Sequence, residues 1–312
     1  MFHVKPWIGD ALDTKIDARR IGIFLAFSFG IAWIAGLIIY LTGGLAHSPQ
    51  IAPGISLALI LMATVYMWAP ALGNIFTRLI TREGWKEMGL RPNFKTGWRY
   101  WLAGWFLPVL MTLPGAAVFF VIFPQYFDAS LPYLRQLMAA SPSSMSSMSP
   151  WTLLIIQAAQ GVLIAPILNA IATFGEEFGW RAYLLPKLMP LGGRKAMLLI
   201  GLIWGIWHWP VIFMGYEYGF VYPGYPWAGP LLFIWVAFGL GIFLAWLTLR
   251  SKSIWPAVIG HGAINGIAGI AIFAMTGQPN PLLGPLPVGI IGSLGFALVA
   301  ITIFISPKAL KA

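Results

Sequence analysis

The sequence contains no cysteine, which excludes disulfide staples, thiolate metal sites and a thiol nucleophile. Charge is nearly as scarce. Only 9% of the 312 residues are charged and 59% are hydrophobic, too little polar surface to cover a water-soluble core of this length. No internal repeat is visible. No basic patch explains the net charge of +10 either, because Lys and Arg recur in short clusters between apolar runs. That dispersion excludes nucleic acid as the partner and points to a lipid bilayer. The first twenty residues lack an apolar run and do not resemble a cleaved signal peptide.

What is abundant is apolar sequence in stretches near twenty residues, at 21–42, 55–77, 100–123, 152–175, 196–216, 229–249, 254–276 and 286–306. The runs are continuous, without the alternation a barrel lumen imposes, so the expected fold is all-α, a polytopic bundle of about eight transmembrane helices. From N- to C-terminus the connecting segments carry 4, 0, 6, 1, 4, 0, 2, 0 and 2 Lys and Arg. Under the positive-inside rule this places both termini in the cytoplasm. The expected organisation is a cytoplasmic segment 1–20, a membrane domain 21–306 and a cytoplasmic tail 307–312. The stretch 81–99 reads as an amphipathic interfacial piece anchored by Trp85 and Trp98. Segment 125–150 reads as a short surface helix followed by the linker SPSSMSSMSP. Interfacial belts account for most of the sixteen tryptophans, and the aromatic stretch from Tyr216 to Trp227 is assigned no function.

Of the nine acidic residues, Asp10, Asp13, Asp17, Glu83, Glu87, Asp128 and Glu217 fall at the N-terminus or in connecting segments. Glu176 and Glu177 remain, inside FGEEFGWRAYLLP at the end of the fourth span. His208 and His261 lie within the fifth and seventh spans. Ionisable groups there are costly unless they face the bundle interior and find partners. Glu177 and Arg181, Trp204 and His208, and His261 and Asn265 are each four residues apart and share a helix face. Adjacent Glu176 and Glu177 are about 100° apart on a helix, so one faces the reaction and the other pairs with Arg181. A carboxylate in an apolar pocket suits a general base acting on water, for which Glu176 is the candidate. His208 could pass the proton to a leaving amine, and His261 with Asn265 could donate to an oxyanion. A charge pair closing the bundle, a core histidine and polar glue between helices would explain the same residues structurally.

The EExxxR at 176–181, the aromatic-xxx-His at 204–208 and the HxxxN at 261–265, in order on three helices, resemble the CPBP family. This family of CAAX proteases and bacteriocin-processing endopeptidases includes type II CAAX prenyl endopeptidases and Abi-type proteins. The motifs span roughly 150–275; Trp204 stands where the family pattern usually has Phe. The resemblance implies an intramembrane endopeptidase in which Glu176 activates water, Glu177 and Arg181 support it, His208 is the second catalytic group and His261 with Asn265 stabilise the oxyanion. It also implies a membrane-associated protein or peptide substrate, of which prenylated CAAX proteins are the best-known class, and a location in the plasma (inner) membrane of a prokaryote.

Glu176, His208 and His261 also match the ligand types of a zinc site. No HExxH places two ligands on one helix, so a metal-free mechanism is expected and no cofactor is favoured. The rival readings are a catalytically silent immunity or scaffold protein and a proton-coupled transporter. Helix rise puts His261 and His208 at unequal depths. A fifth helix beginning near Arg194 and tilted would level them, giving a cavity open toward the cytoplasmic leaflet. Pro166 is positioned to kink the fourth span beside Glu176.

Overall fold

A computed structural model describes residues 15–86, 88–140 and 148–310. Its helices are α1 (Ala18–Leu41), α2 (Leu57–Thr81), α3 (Phe94–Ile122), α4 (Pro132–Ala139), α5 (Pro150–Leu163) and α6 (Ala165–Leu191). They continue with α7 (Gly193–Trp207), α8 (Trp209–Phe213), α9 (Ala228–Ser251), α10 (Trp255–Ile267) and α11 (Leu294–Ile305). A two-stranded ribbon, Gln50–Ala52 with Ile55–Ser56, is the β-sheet among the described residues. Ile34, Leu37, Leu41, Ile167, Leu168 and Ile171 are exposed on the outside of the bundle, as lipid-facing positions require.

Five helices are long and apolar enough to cross a bilayer, and the α5–α6 pair, bent by 44°, makes a sixth. The bend falls where Pro166 was expected to kink the span. The stretches read as fifth and eighth spans hold shorter helices. Pro210, which lacks a backbone N–H, interrupts the first between α7 and α8. The Gly/Pro-rich run from Gly277 to Gly292 holds the last back to the 12 residues of α11. The surface helix expected in 125–150 is α4, while 141–147 lie outside the described residues, as do the first fourteen positions and Glu87. The expected interfacial stretch is irregular from Glu83 to Asn93, apart from the undescribed Glu87. Trp85 and Trp98 are both exposed.

Hydrogen bonds tie alternate connecting segments into two ends. At the basic end, Ile254 N–H donates to the Gly89 carbonyl, Lys187 pairs with Glu83, and Arg194 donates to the Phe304 carbonyl. At the other end, Asp128 N–H donates to the Ala274 carbonyl and the Tyr218 hydroxyl to the Val288 carbonyl.

Helix α6 is fixed on two faces. Gly175 and Gly179, one turn apart, meet α2: a Cβ on Gly179 would lie 2.3 Å from Pro70 Cβ, and one on Gly175 2.6 Å from the Met67 carbonyl oxygen. Small residues here allow the close backbone approach that packs membrane helices. On the face toward α10, Asn169 donates to the Gly262 carbonyl and Thr173 to the Val258 carbonyl, and Glu177 continues the same four-residue stripe. The rotation of α6 about its axis is thereby set, and with it the direction in which each glutamate leaves the helix.

Candidate active site

The fixed rotation divides the two carboxylates. Glu177 is fully buried, and its Oε1 accepts from Arg181 Nη1 at 3.0 Å and from His261 Nδ1 at 2.9 Å. Glu176, 2% exposed, turns the other way, and its Oε2 accepts from the Trp204 indole N–H at 2.7 Å. Immediately beyond, Trp180–Leu184 form a π turn that carries Arg181 inward. Such turns gather at functional sites because they re-aim side chains without ending the helix. The buried Arg181 guanidinium stacks over the Trp204 ring, 4.9 Å from its centroid.

His208 sits at the break between α7 and α8. There the His208 backbone N–H leaves its usual acceptor four residues back and turns to the Gly205 carbonyl, freeing the Trp204 carbonyl. His208 Nδ1 takes that oxygen at 2.8 Å. A carbonyl only accepts, so Nδ1 carries the proton and Nε2 is left for another partner. His261 Nδ1 faces Glu177 Oε1 in the same way and donates to it. Trp204 thus contacts Glu176 through its N–H, His208 through its carbonyl and Arg181 through its ring. Its ring lies 5.5 Å from that of each histidine, edge to face.

Glu176, Trp204, His208, His261 and Asn265 line one cavity of about 280 Å³. Asn265 is open to this space and has no hydrogen-bond partner among the described residues. Glu177 and Arg181 lie behind the wall. The remaining lining is mostly apolar, including Met62, Met67, Phe233, Leu240, Leu286 and Phe296. A second π turn, Met62–Tyr66, borders the cavity from α2.

The lining of the cavity gives it a direction along the bundle. Its lining includes Tyr216, Glu217, Gly269, Ile272 and Leu286–Val288 and, among the described residues, none of the basic-end connections, so it runs to the basic-poor end. Glu176 lies sixteen residues before Gly192 and His208 sixteen after it, so the α6–α7 turn is roughly 24 Å from both. Those two helices reach well past the start of α10, which is why His261 is level with His208 although only six residues into its own helix.

Two features escape a reading of the sequence. Trp180 and Trp207 are fully buried at the centre beside Trp204, not in an interfacial belt. Glu217, assigned to a connecting segment, stands on the cavity wall. Among the described residues, no group of three or more His, Asp and Glu side chains is placed to hold a metal ion.

A polytopic helical membrane protein with a buried Glu/His cavity is the class that fold and site define. Residues 152–267 match the family model described as type II CAAX prenyl endopeptidase Rce1-like. It is also 36% identical over 102 residues to CAAX prenyl protease 2 of Methanococcus maripaludis. That alignment covers 32% of this chain and 37% of the relative, so the chain spans little more than a third of the relative it matches.

Proposed function

We propose that the protein is an intramembrane endopeptidase that hydrolyses a peptide bond in a membrane-associated protein or peptide. The observation that carries this reading is the convergence of Glu176, His208, His261 and Asn265 on one cavity, with Glu177 and Arg181 held behind them. In this mechanism the free oxygen of Glu176 takes a proton from water while His208 Nε2 accepts that water's second hydrogen and orients it. The resulting hydroxide attacks the scissile carbonyl carbon. The oxyanion accepts from Asn265 Nδ2 and from Nε2–H of a protonated His261, whose charge Glu177 stabilises through Nδ1. On collapse the C–N bond breaks and the leaving amine takes a proton by way of His208. The aromatic and aliphatic walls keep bulk water out. Prenylated CAAX-type proteins are the substrate class that the matched relative's name suggests.

The test is cleavage of peptide and prenyl-peptide substrates in detergent or liposomes by the native protein, Glu176→Ala and His208→Ala, with and without chelator. The native protein cleaves, both variants lose at least about 10³-fold in kcat, and chelator changes nothing. Loss of native activity with chelator would restore a metal; no cleavage by the folded native protein would favour the silent scaffold or the transporter.

A further inference from the structure

Across the cavity from the proposed catalytic groups, the connection between α8 and α9 holds Glu217 in an unusual backbone. Its φ is +68°, and Tyr218 N–H donates to the Tyr216 carbonyl at 2.9 Å, spanning it. A two-residue hydrogen bond across a central residue of positive φ is a rare and strained γ-turn. Neither Asn nor Gly, the usual occupants of such φ, stands there. The turn is clamped from both sides: Tyr216 N–H donates to the Val211 carbonyl, and the Tyr218 hydroxyl donates to the Val288 carbonyl at 2.8 Å, from the far side of the cavity mouth. A strained conformation persists only where its surroundings over-determine it, and strain of this kind gathers at binding and catalytic sites.

The clamp places Glu217 where two cavities meet. It lines the catalytic cavity beside Tyr216 and also a neighbouring cleft bounded by Gly219–Val221, Met275 and Gly277–Pro279. A peptide reaching Glu176 from the basic-poor end passes it. The groups facing this space are Glu176, Glu217, His208, His261 and the phenols of Tyr66, Tyr216 and Tyr218; among the described residues no Lys or Arg lines either space. Glu217 stands at the mouth with no Lys or Arg beside it, while the two histidines lie at the Glu176 end, so the mouth accepts positive charge and rejects negative.

We propose that Glu217 is a specificity residue that binds a cationic nitrogen of the peptide substrate, a Lys or Arg side chain near the scissile bond. This deepens the protease reading and rests on it. Burial holds the Glu217 carboxyl up at about 7, so it is mostly neutral below that pH and ionised above it. A bound cation favours the ionised form. The preference for a basic substrate therefore grows as pH rises through 7.

The experiment uses the full-length protein and quenched fluorescent peptides acetylated at the N-terminus, identical except for Lys, norleucine, Glu or Nε-acetyl-lysine at each position flanking the cleaved bond. The native protein prefers Lys to norleucine by about 10- to 100-fold in kcat/KM at one position, the span of a charge-assisted hydrogen bond. Acetylation of the lysine erases the preference. Glu217→Gln and Glu217→Gly bring the Lys and norleucine values together, and Glu217→Lys reverses the order in favour of Glu. The native ratio is larger at pH 8 than at pH 6. A preference that appears only with a free N-terminus would assign the site to the α-ammonium and overturn the side-chain proposal. Equal cleavage of all peptides, or a Lys preference surviving in both Glu217→Gln and Glu217→Gly, overturns it while leaving the protease reading intact. No cleavage of any peptide by the native protein sinks the protease reading itself.

Discussion

Replacing Arg181 with methionine tests whether the buried ion pair is a structural debt or a structural support. Arg181 and Glu177 are both fully buried, 3.0 Å apart, and partly under-satisfied: Glu177 Oε2 and Arg181 Nε and Nη2 have no hydrogen-bond partner among the described residues. A pair so far from water has lost most of its hydration, and only its mutual attraction offsets that loss. Arg181→Met leaves Glu177 with His261 as its single partner and should cost about 3–5 kcal/mol, the range for an uncompensated buried charge. For a chain of this length that lowers the unfolding midpoint by roughly 6–20 °C at about 2–4 °C per kcal/mol. Glu177→Gln strands the guanidinium and costs a similar amount, although its amide oxygen still accepts from His261. The double variant removes both charges and should lose no more than either single variant, giving a coupling energy of at least about 3 kcal/mol between the two sites. The assay is unfolding in mild detergent, followed by circular dichroism, for all four proteins. A loss under about 1 kcal/mol for Arg181→Met, or a double variant as unstable as the two single losses together, refutes the reasoning.

Trp204→Phe removes one indole donor but keeps the backbone carbonyl that fixes His208. Losing a hydrogen bond to a carboxylate costs about 1.5–3 kcal/mol, so kcat/KM should fall roughly 10- to 100-fold, and values within twofold of native would show that Trp204 does not hold Glu176 in place. Gly179→Ala drives a methyl group to within 2.3 Å of Pro70 Cβ and 2.5 Å of the Pro70 carbonyl carbon. Overpacking of this kind costs about 1–3 kcal/mol or more, and because it pushes α6 away from α2 it should lower kcat as well as the unfolding midpoint; unchanged activity would place the control of the Glu176 direction elsewhere.

The polar residues were legible in the sequence because a bilayer makes them conspicuous: Glu176, Glu177, His208, His261 and Asn265 stand out against long apolar runs, and the 100° between adjacent glutamates already required them to diverge. The helical bundle followed from the same runs. What could not be read was the partner of each atom. The hydrogen bond from His261 to Glu177 joins residues 84 positions apart, and the one from Trp204 to Glu176 joins residues 28 apart; no periodicity reports either. Trp204 is legible from its spacing to His208, whereas nothing local marks Trp180 and Trp207 as core rings, because composition does not distinguish a ring at the interface from one in the core. Glu217 was passed over for a different reason. Its importance lies in a φ of +68° and in a fold that returns the connection to the cavity, and local sequence signals neither.

The helix breaks that spoil a simple count of spans also build the site. In an unbroken α7 the Trp204 carbonyl would be taken by the His208 backbone N–H, leaving the ring nitrogen without that acceptor. Because Pro210 stops the helix, the Trp207 carbonyl is likewise freed and accepts from the Tyr66 hydroxyl at 2.6 Å and from the Trp33 indole. Unsatisfied backbone groups cost several kcal/mol in hydrocarbon, so each break is stable only where side chains answer it. Here Tyr66, Trp33 and His208 do so, and their answers bring α1, α2 and α7 to one point beside Glu176. The polar interior therefore depends on the interrupted helix: it supplies the acceptor that sets the His208 tautomer, and that tautomer leaves Nε2 free for water.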